Sequence, residues 1–135
     1  MRKKLYLLLL CVLWLSACGA NSPESPSLQG AWKLVEYGSA GSMTPAVEDA
    51  VATLSFGDDG TVTGSGGCNS LGGDYEVKGD EITFGPIVST LMACGDPRDS
   101  QERFVTQVLT DSVQYELEDG TLTITNNDRV LVFSK

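Results

Sequence analysis

The chain has 135 residues, with 18 Asp and Glu against 9 Lys and Arg, a net charge of −9 and no histidine. Apolar residues at 41% and charged residues at 20% describe one globular domain, and the acidic balance argues against a nucleic-acid partner, whose phosphates need clustered Lys and Arg. Without histidine there is no Ser-His or Cys-His dyad and no His-ligated metal, so neither metal nor cofactor is expected.

In chain order, the first element is a targeting signal. Arg2, Lys3 and Lys4 precede an apolar run from Leu5 to Leu15, which is shorter than the roughly 20 residues a membrane-spanning helix needs. The tetrad Leu15-Ser16-Ala17-Cys18 resembles a bacterial lipobox. That likeness implies a lipoprotein signal peptide over 1–17, cleaved before an acylated Cys18; an ordinary secretory signal is the plainer alternative. Cleavage would take Arg2, Lys3 and Lys4 with it, lowering the net charge from −9 to −12. Such a domain is repelled by anionic headgroups, so its membrane contact would come from acyl chains, at about 0.8 kcal/mol per buried CH₂. No Asp follows Cys18, and the sorting habits of such lipoproteins then imply the periplasmic face of an outer membrane. Residues 18–27, polar and rich in Ser and Pro, read as the lipidated cysteine and its tether, with a reach of roughly 30 Å.

From Leu28 to Lys135 the pattern is mostly of period two. Trp32 and Leu34, Leu54 and Phe56, Ile82 and Phe84, Val113, Tyr115 and Leu117, and Leu122 and Ile124 alternate with polar residues, as antiparallel strands with one buried face do. Asp58-Asp59-Gly60, Lys78-Gly79-Asp80, Glu118-Asp119-Gly120 and Asn126-Asn127 mark hairpin turns between them. Gly38 to Val47, small and polar, reads as a loop. Val130 to Phe133 is apolar on both sides, which places it centrally or beneath a helix. One segment breaks the period: Phe104, Val105, Val108 and Leu109 share a helical face, predicting an amphipathic helix from about Ser100 to Thr110. Asp99 and Glu102 give it a capping-box-like start, and with Asp96 they suit the positive end of the helix dipole. The expected fold is α+β and β-rich: an antiparallel sheet, barrel-like or strongly curved, with one packed helix.

Of four cysteines, Cys11 belongs to the signal and Cys18 to the lipobox. Cys68 and Cys94 remain, with one intramolecular pairing open to them in an oxidising compartment. A bridge there would contribute roughly 3.5 kcal/mol by the chain-entropy model. A metal pair or a redox-active dithiol is the alternative, with no C-x-x-C spacing to support either.

Gly30-Ala31-Trp32-Lys33-Leu34, the run Gly60 to Asn69 ending Gly66-Gly67-Cys68-Asn69, and Thr90-Leu91-Met92-Ala93-Cys94 appear in that order, followed by Glu102, Phe104, Leu109 and Tyr115. This order and spacing resemble the META domain, the family of the heat-shock protein HslJ and many bacterial lipoproteins, over about 28–135. The resemblance implies a β-rich envelope domain linked to stress or antibiotic tolerance, without an established catalytic activity. Ser70-Leu71-Gly72-Gly73 departs from the family pattern, in which a bulkier, often aromatic, position follows Cys-Asn.

The candidate binding or structural residues are Gly67, Asn69, Trp32 and Met92, beside the pair Cys68 and Cys94. Glycines between Gly64 and Gly73 could suggest a phosphate cradle, but no Lys is present and a strand follows. A bulged strand with close backbone approach is the expectation. Asn69 is expected to bond local backbone in a tight turn. Trp32 and Tyr37 fit core or rim equally. The acidic pairs Asp58/Asp59, Asp74/Glu76 and Glu118/Asp119 fit turns better than acid–base catalysis. The sequence therefore predicts a non-enzymatic, lipid-anchored envelope protein acting in stress tolerance through an envelope-protein contact. An inhibitor or chaperone-like binder, and a carboxylate-based hydrolase, are the alternatives.

Overall fold

The computed structural model describes residues 27–135. The signal segment, Cys18 and the tether up to residue 26 lie outside the described residues.

Among the described residues, ten strands and one helix follow in order: β1 (Gly30–Ser39), β2 (Ser42–Pro45), β3 (Thr53–Phe56), β4 (Thr61–Ser65), β5 (Ser70–Lys78), β6 (Glu81–Phe84), β7 (Val88–Ser89), α1 (Arg98–Val108), β8 (Ser112–Glu118), β9 (Thr121–Asn126) and β10 (Arg129–Ser134). All pairings are antiparallel. Running round as β10-β9-β8-β6-β5-β4-β3-β1, the eight main strands close where β10 meets β1. β2 lies against β1 and the short β7 against β5. Closure removes the free edges that an open sheet of this size would present to other chains.

Closure is helped by a bulge. The β1–β10 register slips between Leu34 and Glu36, where β1 also changes its other neighbour, from β3 to β2. An extra residue at that point raises the local twist, which bends β1 around the barrel. Leu54, Phe56, Val62, Ile82, Leu122, Ile124, Leu131 and Phe133 fill the interior, each almost wholly buried. An eight-stranded barrel is just wide enough for its own side chains, and this one uses that space for packing. Trp32 belongs to the core, 2% exposed, with its indole N–H donating to the Leu28 carbonyl at 2.7 Å. Lys135 lies over the same ring, 4.9 Å from its centroid. Tyr37 is half-buried and packs on Phe104, centroids 5.3 Å apart.

The helix closes one mouth. Val105, Val108 and Leu109 are buried against the core, and Asn126 holds the helix end by donating to the Val108 carbonyl at 3.1 Å. The strand registers place the Ala40-Gly41 turn, the β4–β5 connection and the Asn127-Asp128 turn at this same end. Opposite them stand Asp58-Asp59-Gly60, Gly79-Asp80 and Asp119-Gly120, together with Ser27 and Lys135, whose ammonium reaches the Ser27 carbonyl at 3.3 Å.

The four expected hairpin turns are present. Two expectations are corrected. Gly38–Val47 is a hairpin arm, because Ser42–Pro45 pairs with Glu36–Ser39 through main-chain bonds that do not depend on apolar side chains. The stretch Gly64–Gly73 is two paired strands joined by Gly66, Gly67, Cys68 and Asn69, since Ser65 stands opposite Ser70. The helix also starts two residues before the expected position, at Arg98.

Candidate functional site

The helix mouth gathers most of the singled-out residues. Cys68 and Cys94 are joined by a disulfide across a separation of 26 residues, with Cα atoms 5.9 Å apart. The bridge ties the β4–β5 loop to the segment that follows β7. Asn69, 5% exposed, supplies a second tie. Its Oδ1 accepts from the Met92 N–H at 2.7 Å and from the Thr90 hydroxyl at 2.8 Å. Its Nδ2 donates to the Met92 carbonyl at 3.0 Å and to Glu102 Oε1 at 2.6 Å. A carboxamide has two donor and two acceptor positions, and all four are used. Asn69 therefore pairs with Met92 as a neighbouring strand would, across 23 residues of sequence. It was expected to bond locally; the contacts are long-range because the disulfide brings the later segment alongside.

Glu102 is a second correction. It does not cap its own helix, and Pro97, at the N-cap position, makes no side-chain cap bond either. Its Oε2 accepts instead from the main-chain N–H groups of Cys68, at 3.1 Å, and Asn69. Those amides turn inward in the loop and would otherwise lack partners. The helix start is served by Asp96, which accepts from the Ser100 N–H at 3.1 Å. Asp99 reaches back to the N–H groups of Cys94 and Gly95, both at 3.0 Å.

The glycines fit this arrangement sterically. A Cβ on Gly66 would come within 2.9 Å of the Glu102 Cα. Gly67 has φ +114°, and a side chain there would press on the Ala50 carbonyl at 2.8 Å. Gln101, fully buried on the apolar side of the helix, lies just beneath. Its amide donates to the carbonyls of Ala50 at 2.8 Å and Gly66 at 3.0 Å, and its oxygen accepts from the Val47 N–H at 2.7 Å. Sequence reasoning passed over Gln101. The signal was a polar residue four and seven positions before Val105 and Val108, on the face that packs inward.

These ties hold a segment whose side chains face water. Val88 is 70% exposed, Leu91 96% and Met92 61%. Behind it a groove of about 340 Å³ is lined by Asn69, Leu91, Met92, Glu102 and Arg103. The two bridged sulfurs and an Asp99 oxygen lie within 4.8 Å of one another. With the sulfurs bonded to each other and Asp99 engaged by two amides, this set is a clamp rather than a ligand shell.

The acidic turns are separate. Asp59 bonds the Thr61 hydroxyl at 2.6 Å and its N–H at 3.0 Å, and these bonds hold its carboxyl below the usual carboxylate range. Asp49 is lowered similarly by the Arg98 guanidinium at 2.8 Å. Tyr75, stacked edge-on against Phe56, has its phenol raised by burial, with Asp59 and Asp58 adding to the effect. Asp58, Asp59, Asp80, Glu118 and Asp119 decorate the far end, and Trp32 lies in the core near Lys135, so neither group meets the disulfide site.

The fold is shared with solved structures. A protein from Burkholderia xenovorans superposes with a TM-score of 0.66 at 24% identity, covering 78% of this chain and 81% of that one. A DUF4847 family protein from Bacteroides vulgatus gives 0.58 at 15% identity, covering 78% and 92%. A search of curated proteins finds no match. The META domain family model matches residues 26–135. A closed antiparallel barrel with one helix, bearing the Cys68–Cys94 bridge and matched by that model over its whole described length, belongs to the META domain family.

Proposed function

We propose that this META domain is a non-enzymatic binding module of the bacterial envelope, anchored through acylated Cys18 to the periplasmic face of the outer membrane. In this reading it supports stress tolerance by holding another envelope protein through the Val88–Ala93 segment. The observation that carries the reading is a contrast within that segment. Leu91 and Met92 face solvent although their surroundings are fixed by a disulfide, a fully satisfied Asn69 and the Glu102 carboxylate. Ordering an exposed segment costs about 1–2 kcal/mol per residue. That cost is recovered when a partner meets the segment already in its bound shape.

The orientation of the domain supports a protein partner over a lipid one. Ser27 leaves the barrel at the acidic end, beside Lys135. With ten residues in β1, tilted as barrel strands are, the barrel carries the helix mouth about 25 Å away from that exit. A tether running back to Cys18 would thus attach at the acidic end and leave the helix mouth, with Leu91, as the untethered end. The interior is filled by side chains, so a ligand-holding calyx is not part of this reading.

The test is complementation of a deletion strain under envelope stress. Leu91→Asp combined with Met92→Asp should abolish rescue while leaving the melting temperature unchanged, since both side chains are exposed. Full rescue by that variant would sink the proposal. Cys18→Ala should move the protein to the soluble fraction; persistent membrane association would remove the lipid anchor from the account.

A further inference from the structure

Resting on the binding reading above, we propose that the partner is an endopeptidase with an apolar primary specificity pocket, and that Val88–Cys94 occupies its cleft as a substrate-like, inhibitory loop with Leu91 in the pocket. Four observations carry this. Proteolytic clefts accept an extended chain, and here a strand at Val88–Ser89 leads into a stretch without turn or bend from Thr90 to Cys94. From Gly85 to Gly95 the chain is uncharged, and Leu91, the most exposed of its large apolar side chains at 96%, is of the kind a hydrophobic slot selects. Among the described residues no hydrogen bond engages the Leu91 N–H or C=O, so both are available to a cleft: the carbonyl to the oxyanion donors, the amide to the cleft main chain.

The fourth observation concerns what happens if the enzyme attacks. Thr90 and Met92, on either side of Leu91, are both tied to the single Oδ1 atom of Asn69. Attack by a catalytic serine on the Leu91 carbonyl forms an ester to the serine oxygen and breaks the Leu91–Met92 bond, and the serine proton passes through the enzyme's histidine to the Met92 nitrogen. In an ordinary substrate the new amine diffuses away. Here Met92 stays fixed at both its nitrogen and its carbonyl, with the Cys94 bridge two residues on, so the amine remains where it can re-form the peptide bond and return the proton by the same path. A loop already in its bound shape combines tight association with slow net cleavage.

The experiment uses the full chain in detergent against chymotrypsin, elastase and subtilisin, each assayed with a chromogenic peptide. The expected result is competitive inhibition of at least one of them, with intact chain dominating over the species cut at Leu91–Met92 after prolonged incubation. Leu91→Gly should weaken inhibition about 100-fold, as loss of a central interface anchor does. Leu91→Lys should transfer inhibition to trypsin, and Asn69→Ala should turn the inhibitor into a substrate that is consumed. No inhibition of any of the three at large molar excess, rapid consumption of the unaltered chain, or full inhibition by Leu91→Gly would each overturn the proposal. If inhibition fails but the Leu91→Asp, Met92→Asp variant still loses complementation, the binding reading stands and only the endopeptidase falls. If complementation also survives, both fall.

Discussion

The two ends of this barrel are built by different means. At the acidic end, each connection is a short hairpin: Asp119 and Gly120 both take positive φ, Asp59 bonds Thr61 two residues away, and single hydroxyls from neighbouring strands, Tyr75 on the Gly57 carbonyl at 2.6 Å and Tyr115 on the Gly79 carbonyl at 3.2 Å, add to this. At the helix mouth, Ala40-Gly41 and Asn127-Asp128 are short turns as well, but the β4–β5 loop and the segment after β7 are held by side chains from distant parts of the chain. Gln101 reaches Val47, Ala50 and Gly66; Glu102 reaches Cys68 and Asn69; Asn69 reaches Thr90 and Met92. Local turns need little support, whereas a ten-residue exposed connection such as Val88–Pro97 holds one shape only if the rest of the fold supplies partners for its main chain. The proposed binding surface at the helix mouth rests on this difference.

Substitutions sharpen that contrast in descending order of effect. Phe133→Ala, at the barrel centre shared by both ends, should cost about 3–5 kcal/mol in denaturant unfolding. Replacing Cys68 and Cys94 together by Ser should cost roughly 3.5 kcal/mol by the entropy of the loop released. Glu102→Gln should cost about 1–3 kcal/mol, because its amide group would face the donors of Cys68 and Asn69. A cost below about 0.5 kcal/mol there would mean that the mouth is no more dependent on side chains than the turns are. At the acidic end, Asp58→Asn with Asp59→Asn should stay within about 0.5 kcal/mol.

The pH response draws on groups at both ends. Asp59 and Asp49 have carboxyls lowered from 3.8 in the fold, so their small contributions are present above that value and are lost as pH falls through the lower folded values. Tyr75 is raised from 10.0, so its contribution is present below that pH and fades as alkali titrates the folded phenol. Between these limits, the melting temperature should be nearly flat. Thermal melts from pH 5 to pH 9 check this, and a steep change inside that window would contradict it.

The sequence made the acidic end far more legible than the mouth. Period-two runs and the turns at Asp59-Gly60, Gly79-Asp80 and Asp119-Gly120 are local signals, and the strands and hairpins they predict are present. The β1–β10 closure carries no comparable mark, because nothing in either strand names its partner. Glu102 had the spacing of a capping residue; its use on Cys68 and Asn69 depends on a loop thirty-odd positions earlier folding against the helix. Asn69 had the habits of a turn residue, and only the bridge to Cys94 brings Met92 within its reach. The missed arm, Ser42–Pro45, pairs through main chain alone and so leaves little trace in side-chain pattern.

The most direct test of the account places a photo-crosslinking side chain at Leu91 in one strain and at Asp58 in another, at opposite ends of the same barrel. Irradiation of intact cells should give a discrete protein adduct from the Leu91 position and none from Asp58. An adduct from Asp58 alone, or the same adducts from both, would contradict the assignment of the binding surface to the clamped segment at the helix mouth.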